Sequence, residues 1–194
     1  MTLRAGGLWI PLTIAACLSV TPAAPASAAA THKAAPAARA QKFDPCALLR
    51  PAEIEAVQGE MPVDMKSDRP QRGEFEAWQC FYTLPTFAKS ISLEVTRKDT
   101  SRPDAASPRA HWQTMFHETE GSAGEGEEAG EASGPPVPVD GVGDEAFWSG
   151  NGVVGALYVL KGDAYLRLSI GGSEDDSEKL QKSKTLASKA LKRL

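Results

Sequence analysis

Few side chains of this 194-residue chain are of types and spacings that could do chemistry. Asp144 and Glu145 stand side by side just ahead of Trp148. Two carboxylates beside an aromatic are the raw material of acid–base hydrolysis, because an apolar neighbour raises one pKa and leaves the other low. Adjacent strand residues point to opposite faces, so this pair is not expected to act on one substrate. His111 and His117 are six apart, about 240° around a helix, whereas a zinc pair needs one face. They read as surface or rim residues. The glutamates Glu118, Glu120, Glu125, Glu127, Glu128 and Glu131 lack the Asp-x-Asp-x-Asp-Gly spacing of a calcium loop and read as a solvated acidic segment. Gly141-Val142-Gly143 has neither the third glycine nor the Lys-Ser/Thr of a phosphate cradle, and reads as a tight turn entering a strand. No Gly-x-Ser-x-Gly elbow is present. No catalytic residue, metal ligand or cofactor site is therefore assigned. Trp78, Trp112, Phe147 and Trp148 are the candidates for a ligand pocket, the competing reading being four core aromatics.

The three cysteines divide by position. Residues 1–28 read as a secretory signal: Arg4 makes a positive start, Gly6 to Val20 is apolar, and Ala26-Ser27-Ala28 is an A-x-A cleavage site. The apolar run is shorter than the ~20 residues that span a bilayer. Ile14-Ala15-Ala16-Cys17 also resembles a lipobox, which would make a lipid-modified Cys17 the mature N-terminus; free export and a lipid anchor both stay open. Cleavage after Ala28 leaves Cys46 and Cys80, an even pair that reads as a disulfide in an exported chain. Closing a loop of about 35 residues is worth ~3.5–4 kcal/mol in the chain-entropy account.

The elements that must position these residues lie after residue 42. Residues 29–42 are an Ala-rich stretch without periodicity, expected to be a disordered tether. Residues 43–194 are expected to form a single α+β domain. Leu48 and Leu49 dock a helix of about two turns that opens on Pro51, buries Ile54 and Val57 and stops at Gly59. Met61 to Glu74 reads as polar and irregular. Trp78 to Leu84 reads as a strand, Pro85 to Lys89 as a turn, and Ser90 to Thr96 as a half-buried strand with Ile91, Leu93 and Val95 inward. After a loop, Ser107-Pro108 starts a helix running to about Glu118, with Trp112, Met115 and Phe116 on one face. Residues of about 120–136 read as a mobile acidic loop. Three strands follow between 146 and 170, turning at Asn151-Gly152 and at Lys161-Gly162-Asp163. Ser173 with Asp176 reads as the cap of a last helix, whose stripe is Leu180, Ser183, Ala187, Ala190, Leu191 and Leu194. Helices mixed with antiparallel strands give an antiparallel sheet covered by a short N-terminal helix, a middle helix and a C-terminal helix.

The order of Phe43-Asp44-Pro45-Cys46-Ala47-Leu48-Leu49, Pro51-Ala52-Glu53-Ile54, a second cysteine in an aromatic strand, Val139-Asp140-Gly141-Val142-Gly143-Asp144-Glu145-Ala146-Phe147-Trp148, the Lys-Gly-Asp turn and a final amphipathic helix resembles a family. That family is a domain of unknown function in bacterial secreted proteins and lipoproteins, related to sensor-like extracellular domains. The resemblance spans about residues 43–194. It implies an exported α+β domain with Cys46 and Cys80 bridged, and no catalytic residues. The weak lipobox and the long Glu-rich loop depart from the pattern and bear against lipid anchoring.

Formal net charge is −4, and loss of the leader leaves 20 basic against 25 acidic side chains. An acidic domain without a basic run is a poor ligand for nucleic acid or anionic lipid. The expectation is an exported, periplasmic or extracellular, non-enzymatic module that binds a small ligand or another envelope protein. The alternative is a secreted hydrolase using carboxylates near Asp144 and Glu145.

Overall fold

Two antiparallel meanders share one sheet, joined where the last strand of the second lies beside the last strand of the first. The computed structural model describes residues 43–118 and 135–194. The leader with Cys17, the tether and most of the acidic loop lie outside the described residues. The strands are β1 (Asp64–Asp68), β2 (Gln71–Arg72), β3 (Phe75–Thr83), β4 (Ile91–Lys98), β5 (Val137–Pro138), β6 (Glu145–Gly150), β7 (Gly155–Lys161) and β8 (Ala164–Ile170). The helices are α1 (Pro51–Gln58), α2 (Pro108–Phe116) and α3 (Asp176–Ala190). The sheet runs β1-β3-β4-β8-β7-β6-β5, with β2 also on β3, and every pairing is antiparallel. The expected α+β sheet under three helices is what forms.

Several local signals act as expected. Proline opens α1 and α2 where an amide would lack an acceptor anyway, and Ser107 accepts from the Ala110 amide. Gly59 closes α1 at φ 75°, a conformation that costs glycine little. Gly162-Asp163 turns β7 into β8 with Lys161 opposite Ala164. A disulfide joins Cys46, in the 3-10 turn Pro45–Leu48 ahead of α1, to Cys80 in the middle of β3.

One face of the sheet carries the main core. The register puts Trp78, Cys80 and Tyr82 on it with Ile91, Leu93 and Val95, then Leu166, Leu168 and Ile170, Leu157 and Val159, and Ala146 and Trp148. Leu48, Leu49 and Ile54 cover this face from one end, and Leu186, Ala187 and Ala190 of α3 from the other. Arg193 fastens the cover. Its guanidinium donates to the Leu48 carbonyl at 2.7 Å and to both Glu53 oxygens at 2.8 and 2.6 Å, and Glu53 also accepts from the Arg50 amide.

Four expectations need correction. Met61 to Glu74 is not irregular, because it holds β1 and β2. All five residues of β1 are exposed, so this edge strand forms by backbone pairing to β3 and has no apolar alternation to betray it. Strand β4 is not half-buried: Glu94 and Thr96 on its polar side are buried too. Arg72 satisfies the Glu94 carboxylate at 3.2 and 3.0 Å. Asn151-Gly152 does not make a two-residue turn. Residues 151–154 form the loop, the Asn151 side chain accepts from the Val153 and Val154 amides, and Asp176 accepts from the Gly152 amide. Finally, Asp175, not Ser173, caps α3, by accepting from the Glu178 amide. The buried stripe is Lys179, Ser183, Leu186, Ala187 and Ala190, with Leu180, Leu191 and Leu194 at its rim. Lys179 can lie in it because its stem packs as hydrocarbon while Nζ donates to the Val153 carbonyl at 3.0 Å.

Candidate functional site

The opposite face of the sheet is covered by α2, the crossover between the two meanders. Ring spacing along α2 places Trp112, Met115 and Phe116 against Phe147 of β6, Leu160 and Tyr158 of β7 and Tyr165 of β8. Trp112 is fully buried and its ring lies 5.9 Å from Phe147 and 5.8 Å from Tyr165. Phe116 stacks on Phe147 at 4.5 Å with the planes 1° apart, and meets Tyr158 edge-on at 5.5 Å.

A cleft of about 390 Å³ opens beside this cluster. Phe116 and His117 at the end of α2, the segment 138–144 and Glu145 to Phe147 of β6 line it. The segment 138–144 is a fixed wall. Val142 is buried in the core, and Gly143, at φ 67°, lies so close to β7 that a Cβ would meet Val159 Cγ1 at 2.3 Å and the Leu160 carbonyl at 2.6 Å. A side chain at 143 would push this wall off the sheet.

Two neighbouring carboxylates have different roles there. Asp144 accepts from the Gly162 amide at 2.8 Å, from Arg109 at 3.0 Å and from Lys161 at 3.1 Å. The Gly162 amide, followed by Lys161, holds its carboxyl below the usual range. Asp144 is thus a tie between the β7–β8 turn, the start of β6 and the first turn of α2. Glu145 lies on the α2 side of β6. Trp112 Nε1 donates to one of its oxygens at 2.6 Å, and His117 Nε2 lies 2.8 Å from the other. Each carboxylate oxygen has capacity for a second donor. Asp140, exposed on the wall, makes no hydrogen bond or ion pair with a described residue.

The four aromatics singled out from the sequence do not line one pocket. Phe147 lines the cleft and Trp112 backs it. Trp78 and Trp148 are on the other face of the sheet, four strand spacings apart, or roughly 19 Å. Trp78 packs edge-on to Phe43 at 5.9 Å under the Arg69 guanidinium at 4.7 Å. Trp148 fills the space between Gly150 and Gly155, where a Cβ at 155 would fall 2.3 Å from its ring. Sequence reasoning left out Phe116 and His117 as site residues. His117 follows the last helical residue, so helical spacing did not apply to it, and only the docking of α2 brings it to Glu145. His111 is exposed, 5.0 Å from the Phe75 ring. Among the described residues no group of three or more His, Cys, Asp or Glu could hold a metal ion. No described helix is long and apolar enough to cross a membrane.

No family model matches the chain, and no curated protein matches it. Among solved structures, the extracellular domain of PknH from Mycobacterium tuberculosis is similar at 13% identity, over 76% of this chain and 94% of that one, with a TM-score of 0.43. A likeness so remote transfers no function to this chain, and the resemblance noted from the sequence rests on its quoted motifs alone.

Proposed function

We propose that the chain is an exported, non-enzymatic binding module whose ligand enters the cleft between the end of α2 and the 138–147 segment. One observation carries the reading: a ligand-sized cleft with a stacked aromatic wall and a carboxylate, Glu145, held in place by Trp112 and His117 before any ligand arrives. The lining suits a small molecule or peptide end with a flat apolar group for Phe116 and Phe147. An amine or other donor on it would meet the spare lone pairs of Glu145 and Asp140, which has no partner among the described residues. The acidic balance of the chain favours the same class of ligand. Export is supported by the signal-like leader and by the Cys46–Cys80 bridge.

The alternative, a hydrolase built on Asp144 and Glu145, is less favoured, because Asp144 is already tied by Gly162, Arg109 and Lys161. A general acid needs a carboxyl that keeps its proton near neutral pH. Asp144 is driven the other way by the Gly162 amide, Lys161 and Arg109.

The test is amide chemical-shift mapping with two probes of one shape and opposite charge, phenethylamine and phenylpropionate. The amine is expected to move amides at 116–117 and 139–147, and Asp140→Asn to weaken it several-fold. Shifts elsewhere, or none with either probe, overturn the reading. Intact mass of the mature protein settles the form of export. A chain starting at Ala29 is expected, and a lipid-modified Cys17 would establish the anchored form.

A further inference from the structure

The two edges of the sheet are built differently. At one end β5 is two residues long and contains Pro138, which removes a backbone donor. At the other end β1 is regular over five residues, exposed at all of them and free of proline between Pro62 and Pro70. It pairs with β3 on its inner side, and no described strand lies on its outer side. An open row of backbone donors and acceptors is a template for another strand. Three of the seven large apolar side chains exposed on the described surface, Met61, Val63 and Met65, fall at alternate positions along this stretch. Asp64 and Lys66, between and beyond them, make no ion pair with any described residue.

We propose that two copies of this chain pair antiparallel through their β1 edges, about a two-fold axis at Met65, to form one continuous sheet. The charges select the partner. With Met65 opposite Met65 of the second copy, Asp64 faces Lys66 twice and Val63 faces Ser67. Opposite charges then meet on one side of the ribbon, and Val63 and Met65 of both copies cluster diagonally on the other. Centring on Lys66 instead sets lysine against lysine and Asp64 against Asp68. A slip by one residue sets apolar against charged side chains on both sides. The contact is the same patch on both copies, as a closed two-fold dimer requires.

Sedimentation equilibrium of the mature chain across a concentration series is the test. A monomer–dimer equilibrium is expected. Lys66→Asp and Asp64→Lys are each expected to weaken it about ten-fold or more, because like charges then face each other twice. The double variant Asp64→Lys with Lys66→Asp is expected to restore it. Both substituted positions are exposed in all three variants, and matching thermal melts exclude unfolding as the cause. A wild-type chain that stays monomeric to millimolar concentration overturns the proposal, as does a dimer indifferent to Lys66→Asp. Restoration by Asp68→Lys with Lys66→Asp, but not by the Asp64 pair, overturns the Met65 register.

Discussion

The two faces of the sheet bury side chains by different means. On the α1–α3 face the buried residues form a continuous apolar cluster reaching from Leu48 to Ala190. Two of the polar groups that enter it are tied to nearby carbonyls, Lys179 to Val153 and Tyr82 to Pro45 and Cys46 at 3.4 and 3.3 Å. On the α2 face only Trp112, Phe147 and Leu160 form the buried apolar cluster. Polar pairs occupy the rest: Arg72 with Glu94, Gln79 with Ser92, Arg167 with Tyr158, and Ser169 with the Gly155 carbonyl. Complete cover makes a face structural. A short helix that covers only part of a face leaves aromatic edges and oriented polar groups beside solvent, and the cleft lies where that cover stops.

The largest effect should come from the fully covered face. Leu186→Asp puts a carboxylate where Leu186 is fully buried in the apolar core, and should leave no folded domain. Gln181→Asp, on the exposed side of the same helix, should change urea-melt stability by less than about 0.5 kcal/mol. Equal midpoints for the two would mean that α3 does not cover the sheet. Lys182 is not a suitable exposed control, because it pairs with Glu174 and Glu178.

Separating Cys46 from Cys80 loosens the same face by another route. Replacing both with serine should cost roughly 3–4 kcal/mol, read as a lower denaturation midpoint. A change near zero would mean that burial of Leu48, Leu49 and Ile54 holds α1 without the bridge.

Trp112→Phe sharpens the contrast from the α2 side. Most of the ring packing survives, but the donor to Glu145 is lost, at about 1.5–3 kcal/mol for a hydrogen bond to a charged group. The expected outcome is a modest stability loss with a larger loss of amine binding in the cleft. Unchanged binding would remove Trp112 from the site.

The smallest effect is confined to acid pH. Arg193 is the main cause that holds the Glu53 carboxyl at about 2, below its ordinary 4.5. A depressed folded-state pKa stabilises above the unfolded value, and that stability disappears as pH falls through the folded one. Wild type should therefore exceed Arg193→Gln in stability above pH 4.5, and the gap should close as pH falls to about 2. A gap independent of pH would mean that Arg193 acts only through the Leu48 carbonyl.

How much of this was legible follows from the range of the interactions. Where the cause is local, the sequence by itself determined the outcome. Pro51 and Gly59 bound α1, Ser107-Pro108 opens α2, Gly162 turns the last hairpin, and the alternation from Ala164 to Ile170 marks β8 with its ends. Each depends on steric or hydrogen-bond preferences within a few residues. The tertiary structure decided what depends on distant partners. Strand β1 exists because β3 offers it a ladder. The phase of α3 depends on Lys179 finding the Val153 carbonyl, 26 residues away. Glu145 became a site residue only when α2, 33 residues earlier at Trp112, docked over it. Nothing near Glu145 in the chain announces that Trp112 and His117 become its partners. The helix that brings them is aimed by aromatic packing against three strands, and that packing has no local signature.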